Sequence, residues 1–224
     1  SEINYRANIH ALKQAGVERL LSISAVGSLR EAVAPGDLVL CDQLIDKTFR
    51  RASSFFGEGV VGHVSFAEPM CGAFVGEVAA AAESAGVRRV FRGGTYVCME
   101  GPQFSTRAES LLHRSWGADV VGMTAATEAK LAREAELCFA LLALSTDYDC
   151  WHPSEEAVTA EAVIAVLEAN VARARAVVAA LAARVPPARG CGCDRAAARA
   201  VLTSRHAVTP EARDRLRILY GRYL

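Results

Sequence analysis

Residues 137–144, Leu-Cys-Phe-Ala-Leu-Leu-Ala-Leu, form an uninterrupted apolar run that no other in the chain exceeds in length. A membrane-spanning helix needs roughly 20 such residues, so a run this short belongs inside a water-soluble core. Extended through Asp149, it reads as a strand, and the sequence around it alternates strands with helices. Residues 5–15 have helical spacing and are closed by Gly16, after which 17–25 read as a buried strand. Residues 73–85 repeat the pattern as an Ala-rich helix stopped by Gly86, with a strand from Val87 to Phe91, and Ala-Gly-Val-Xaa-Arg stands at both junctions. Residues 37–48 alternate as one strand after the turn Pro35-Gly36-Asp37, and 50–69 form a long glycine-containing loop. A strand at 95–99, a helix at 107–116, a short strand at 119–123 and a helix at 124–135 complete the alternation. The fold class this implies is α/β, a sandwich with a central mixed or mostly parallel β-sheet flanked by helices.

Thr159 is a candidate N-cap for a long amphipathic helix that carries Val163, Val166, Leu167 and Val171 at three-four spacing and ends at Pro186-Pro187. We therefore expect an α/β domain over residues 1–187. Residues 188–224 should be a helical C-terminal extension that packs on the same domain or on a subunit interface.

Charge narrows the function. The 224 residues carry 25 Lys and Arg against 25 Asp and Glu, and all the basic residues but Lys13, Lys47 and Lys130 are Arg. A balanced chain without a polybasic segment is poorly suited to nucleic acid or anionic lipid, so neither is an expected partner. The N-terminus has no charged-then-apolar leader pattern. Seven cysteines, five of them scattered through apolar or strand-like sequence, fit a reducing compartment, and a cytoplasmic location is expected. Cys191-Gly192-Cys193 has no second Cys or His pair at zinc spacing, so no metal site is expected, and a local redox pair or two free thiols remain open.

The densest chemistry is Ser145-Thr146-Asp147-Tyr148-Asp149-Cys150-Trp151. Period two places both carboxylates on one face at the end of an apolar strand, where open α/β sheets bind ligands. The alternative is that the pair caps a loop or holds a cation. Phe104 and Ser105 in Gly101-Pro102-Gln103-Phe104-Ser105-Thr106 offer a ring to stack on a planar base and a hydroxyl for its edge. The other reading of that stretch is a helix N-cap beside a core phenylalanine. Ser24 and Ala25 open a turn of small residues that lets backbone N–H groups approach an anion, or simply turns the chain. Thr124 either caps its helix or offers a hydroxyl to an oxyanion. His63 is a solvated loop histidine or a ligand contact.

Several of these stretches occur together, in order, in one known family. Asn4-Tyr5-Arg6-Ala7-Asn8, Gly27-Ser28-Leu29-Arg30-Glu31, Pro35-Gly36-Asp37, Ala67-Glu68-Pro69, the run from Glu100 to Ser110, Trp116-Gly117-Ala118-Asp119-Val120 and Thr146-Asp147-Tyr148-Asp149-Cys150-Trp151 resemble the nucleoside phosphorylase family, and within it the branch acting on 5′-methylthioadenosine. The resemblance implies that phosphate attacks the anomeric carbon while the purine leaves. It implies phosphate held by Ser24, Ala25 and Thr124, ribose covered by Met123, and the base framed by Phe104 and Ser105. Asp147 would serve the purine imidazole nitrogen as the catalytic group, and Asp149 would read an exocyclic amino group. His63, Ala160 and Val163 would border the methylthio group, His63 in a neighbouring subunit, which implies a homotrimer or hexamer. Phosphate is then a co-substrate and no cofactor is implied.

A purine nucleoside or methylthioinosine phosphorylase is the competing enzyme, and an inactive nucleoside-binding or assembly subunit is the reading from another class. The family opens with a strand, a glycine-rich phosphate loop and an Arg-His pair, and the sequence starts after all three. The later Gly93-Gly94-Thr95 stands in the wrong place to replace that loop. On this reading half of the phosphate site is absent and phosphorolysis by these residues alone is impaired.

Overall fold

The computed structural model describes residues 2–153, 160–184, 186 and 188–224. Seven strands and six helices alternate as α1 (Tyr5–Gln14), β1 (Arg19–Ser28), β2 (Leu38–Cys41), β3 (Gln43–Asp46), α2 (Gly72–Ser84), β4 (Val90–Arg92), β5 (Thr95–Cys98), α3 (Arg107–Ser115), β6 (Val120–Gly122), α4 (Ala125–Glu134), β7 (Cys138–Asp147), α5 (Ala160–Ala182) and α6 (Pro210–Tyr220). Among the described residues no helix is long and apolar enough to cross a membrane.

β7 lies near the middle of the sheet, between β1 (parallel) and β2 (antiparallel). It is buried on both faces, and its side chains alternate between two cores. Phe139, Leu141 and Ala143 join the cluster under α1, α4 and α6, while Ala140, Leu142 and Leu144 join the cluster under α2 and α5. This is why the sequence there shows a continuous apolar run rather than an alternating one. β2 divides in the same way, with Leu38 and Leu40 on one side and Val39 and Cys41 on the other.

The single strand expected over 37–48 is two strands, β3 at one edge of the sheet and β2 next to the opposite edge strand, β4. The order is β3-β5-β6-β1-β7-β2-β4, so β2 and β3, neighbours in sequence, are far apart in hydrogen-bonding order. Their parallel partners break at the same level, β4 from β5 at Gly93-Gly94. Both glycines have positive φ (80° and 142°), and Asp42 Oδ1 accepts from the Gly94 N–H at 3.0 Å. Two parallel strands thus bend together, and the sheet curls until the β2–β4 pair at one end continues into the β3–β5 pair at the other. A Cβ on Gly94 would lie 3.2 Å from Asp119 Oδ2, so the bend also needs the missing side chain.

The tail contributes to the same core. Leu216, Leu219 and Tyr220 of α6 are buried with Tyr5 and Ile9 of α1, and Tyr220 stacks on Phe56 with ring centroids 4.8 Å apart. Thr159 and Pro187, the expected helix start and domain limit, lie outside the described residues.

Candidate active site

β1 and β7 run parallel in register until Val26 pairs with Ser145. Gly27 then pairs with Asp147, so Thr146 is an extra residue bulged out of the ladder. β7 ends there. Asp149 is brought back by a short 3₁₀ turn in which it adopts φ +51°, a left-handed conformation that Asp tolerates better than most residues. The two carboxylates therefore meet by a bulge and a turn, not by the strand alternation expected for them. They meet over Gly27, where a Cβ would lie 2.9 Å from Asp147 Oδ1 and 3.2 Å from Asp149 Cβ.

Hydrogen bonds distinguish the two acids. Asp147 Oδ1 accepts from the Asp149 N–H at 2.8 Å, and Oδ2 accepts from the Thr146 hydroxyl at 2.7 Å. Asp149 is 6% exposed, and its Oδ2 is buried without a hydrogen-bond partner among the described residues. A buried acceptor in that condition is costly unless a ligand supplies a donor. Trp151 Nε1 donates to Ser28 O at 2.8 Å and holds the turn against β1.

The neighbouring loops close on this point. Cys150 Sγ donates to Ser105 O at 3.2 Å, joining the aspartate turn to the loop after β5. Thr106, not Ser105, caps α3, in a capping box with Glu109, so the Ser105 hydroxyl is left facing Met99 Sδ at 3.7 Å. Phe104 is 54% exposed and is not the core phenylalanine of the alternative reading. Met123 lies over Gly101, whose missing Cβ would stand 2.7 Å from the Met123 sulfur.

Ser24 and Thr124 meet around a residue that the sequence did not single out. The Thr124 N–H donates to the buried Tyr96 hydroxyl at 3.2 Å, and Ser24, whose hydroxyl donates to Ala25 O at 3.3 Å, is near enough to that phenol to favour its ionised form against burial. Thr124 precedes α4 yet makes no side-chain capping bond, which leaves its hydroxyl at the positive end of a ten-residue helix. Ala25 is exposed on β1 beside it.

Arg51 was also missed. Its side chain is 4% exposed, pairs with Glu100 at 3.1 Å, and donates to the carbonyls of Glu100 and Met123. Burial, the largest single influence, opposes its charge, but the Glu100 carboxylate together with Tyr5 and Cys98 holds the guanidinium above its ordinary range. On Glu100 the Phe49 N–H, foremost, and Arg51 hold the carboxyl below its usual range. An Arg in a loop of an Arg-rich chain carries no sequence signal, whereas its buried partners identify it at once.

Three expected residues do not join this group. His63 is exposed on the long loop, its backbone N–H donating to Ala200 O at 2.9 Å. Ala160 and Val163 belong to α5, but their side chains lie outside the described residues. Ser105 also lines a cavity of about 290 Å³ with Phe49, Met99, Glu100 and Gln103. A cavity of about 380 Å³ between α1 and α6 contains none of the expected site residues.

The expectation of no metal site rests on neighbours in the chain alone. Cys191 and Cys193 have no second pair nearby in the chain, but the fold brings Cys71 and Cys138 to them, and all four sulfurs lie within 4.8 Å of one another.

Comparison with known proteins bears on the family and the fold. The sequence profile of the phosphorylase superfamily matches residues 1–183. The chain is 52% identical over 223 residues to the S-methyl-5'-thioadenosine phosphorylase of Koribacter versatilis, covering all of this chain and 76% of that protein. It is 53% identical over 225 residues to the enzyme of the same name from Cereibacter sphaeroides, covering 99% and 77%. Among solved structures, a methylthioadenosine phosphorylase from an Antarctic soil metagenomic library superposes with a TM-score of 0.89 at 45% identity, covering 98% of this chain and 77% of that one. The Schistosoma mansoni methylthioadenosine phosphorylase in complex with adenine gives a TM-score of 0.79 at 36% identity, covering 82% and 70%.

Proposed function

The chain belongs to the phosphorylase superfamily, and on that premise we propose that it is the pentosyltransferase that cleaves S-methyl-5′-thioadenosine with phosphate, releasing adenine and 5-methylthioribose 1-phosphate. The carrying observation is the buried, unpartnered Oδ2 of Asp149 beside Asp147. A carboxylate accepts from the exocyclic amino group of adenine but meets a 6-oxo purine acceptor to acceptor, a mismatch that buried sites punish strongly.

In the cleavage, the C1′–N9 bond breaks toward an oxocarbenium-like sugar, phosphate oxygen bonds to C1′, and the departing base gains negative charge. Asp147, aimed by Thr146 and the Asp149 N–H, hydrogen-bonds the imidazole nitrogen of the leaving base and delivers a proton to it. Phe104 and Ser105 frame the base, and Met123 covers the ribose. Ser24, Ala25 and Thr124 receive phosphate at the start of α4, where the helix end favours an anion. Phosphate is the second substrate and the reaction calls on no cofactor. His63, Ala160 and Val163 complete the methylthio pocket, His63 across a subunit boundary. We place the enzyme in the cytoplasm, in purine and methionine salvage, as a homotrimer or hexamer. Exposed Leu111 and Leu112 on α3, with Trp116 just after its end, support a subunit contact there.

The test is base release from methylthioadenosine and methylthioinosine, each with and without phosphate. Adenine release that requires phosphate and exceeds hypoxanthine release supports the reading. Faster hypoxanthine release overturns the substrate assignment, and phosphate-independent release overturns the reaction class. Sedimentation at three or six times 23.8 kDa tests the assembly.

A further inference from the structure

Four cysteines from three parts of the chain converge at the end of β7 opposite to Asp147. Cys138 begins the strand and Asp147 ends it nine residues later, about 30 Å away at the usual strand rise. Cys71 precedes α2, and its N–H donates to the carbonyl of Phe139, the residue after Cys138. Cys191 and Cys193 come from the extension, Cys193 opening a 3₁₀ turn. Cys71, Cys138 and Cys193 are each less than 10% exposed, and Cys191 is partly exposed.

We propose that Cys71, Cys138, Cys191 and Cys193 are the ligands of a structural zinc ion that fastens the C-terminal extension to the α/β core. Tetrahedral zinc with Zn–S bonds of about 2.3 Å spaces its sulfurs roughly 3.8 Å apart. The four sulfurs here are mutual neighbours within 4.8 Å, and Cys138 and Cys191 are 3.4 Å apart. Two disulfides would serve the sulfurs in pairs at about 2.05 Å, whereas one ion serves all four from the centre of the group. A sulfur-only donor set selects zinc over hard cations such as magnesium or calcium, and one Cys-Xaa-Cys bite joined by two distant cysteines closes the coordination shell, as structural zinc requires.

The surroundings suit the doubly negative site that four thiolates and Zn²⁺ make. Arg189, two residues before Cys191, donates to the carbonyl of Glu136, two residues before Cys138. Arg19 donates to the carbonyls of Pro186 and Ala188 at 3.0 Å each. These bonds fix both approaches to the cluster and keep two guanidinium groups at its margin. The apolar packing of Phe74, Val78 and Leu181 keeps water from the remaining sides.

Zinc is measured by mass spectrometry of the elements in full chain purified under reducing conditions and passed through gel filtration. We expect about one zinc per chain, reduced at least tenfold in a Cys191→Ser/Cys193→Ser double variant. Should that variant fail to fold, the wild type alone decides. Replacement of zinc by cobalt should give the sulfur-to-metal charge-transfer and intense d–d absorption of a tetrahedral tetrathiolate, and a mercurial thiol reagent should release the metal. Metal-free protein whose four thiols all alkylate would show simple packing of small apolar side chains and overturn the proposal. Metal-free protein in which they resist alkylation until reduced would overturn it in favour of disulfides. Neither readout uses catalysis, so the outcome is independent of the reaction assigned above.

Discussion

Gly27 is the smallest residue in the site and the one on which the most geometry depends. Its absent Cβ leaves room for both carboxylates, and replacing it with Ala would force a carbon within 2.9 Å of Asp147 Oδ1. We expect Gly27→Ala to lower kcat by on the order of 10²-fold through displacement of the proton donor, with a thermal midpoint close to wild type. Asp147→Ala should cost about 10²- to 10⁴-fold in kcat while leaving the fold intact, and an unchanged single-turnover rate in a folded variant would remove Asp147 from the mechanism. Asp149 acts on selectivity instead. Asp149→Asn adds an amide donor suited to a 6-oxo group, so the adenine-to-hypoxanthine ratio of kcat/KM should fall by about two orders of magnitude. Both acids were visible in the sequence because two charges at the end of an apolar strand have few structural reasons to be there. Arg51 and Tyr96 were not, since each acts through a bond to a residue distant in the chain, and a single Arg or Tyr has no periodicity to mark it.

Helices and the central strand were legible as elements because each carries its own signal. Gly16 and Gly86 stop α1 and α2, both with positive φ, and Thr106 with Glu109 opens α3. What could not be read was the division of residues 37–48 at Asp42. Alternation of apolar residues continues through the bend, and the cause, a hydrogen bond to Gly94, comes from a segment some 50 residues away. The cysteine cluster was hidden for the same reason, its ligands being local only in space. α4 shows how one element links the site to stability. It follows Thr124 beside the proposed phosphate site, and one turn on, Glu128 is held half-buried with the Ser22 hydroxyl donating to it at 2.6 Å. Burial raises the Glu128 carboxyl above its ordinary 4.5, and the Ser22 bond only partly opposes this. The folded state therefore binds the proton more tightly than the unfolded state does. This contribution is fully present below about pH 4.5 and is lost as pH rises through the folded value. Glu128→Gln keeps an acceptor for Ser22 and removes the buried charge. Its melting temperature should exceed that of wild type at pH 7 to 8, and the gap should close as pH falls below 4.5; a gap independent of pH would exclude Glu128 as its source.

Across the whole molecule, the tail and the site are joined by one mechanical path. Tyr220 of α6 is fully buried and stacks on Phe56. Arg215, on the same helix, donates to the carbonyls of Phe55 and Gly57. Glu134 of α4 accepts from the Phe55 N–H at 2.7 Å and from Ser54 at 2.8 Å, so residues 54–57 are held between two helices. Three residues earlier in that segment, Arg51 ties the Glu100 loop to Met123. Removing the Tyr220 ring takes away the apolar side of this clamp and leaves the polar bonds in place. Tyr220→Ala should lower the unfolding free energy by about 3–5 kcal/mol, the usual cost of deleting a buried aromatic ring. The loss should also be uneven. Amides of residues 54–57 should exchange with solvent through local opening, well below the free energy of global unfolding, while those of β7 continue to exchange only globally. If the segment instead exchanges at the same free energy as β7 in the variant, the tail stabilises the core as a whole and has no separate hold on the loop that carries Arg51.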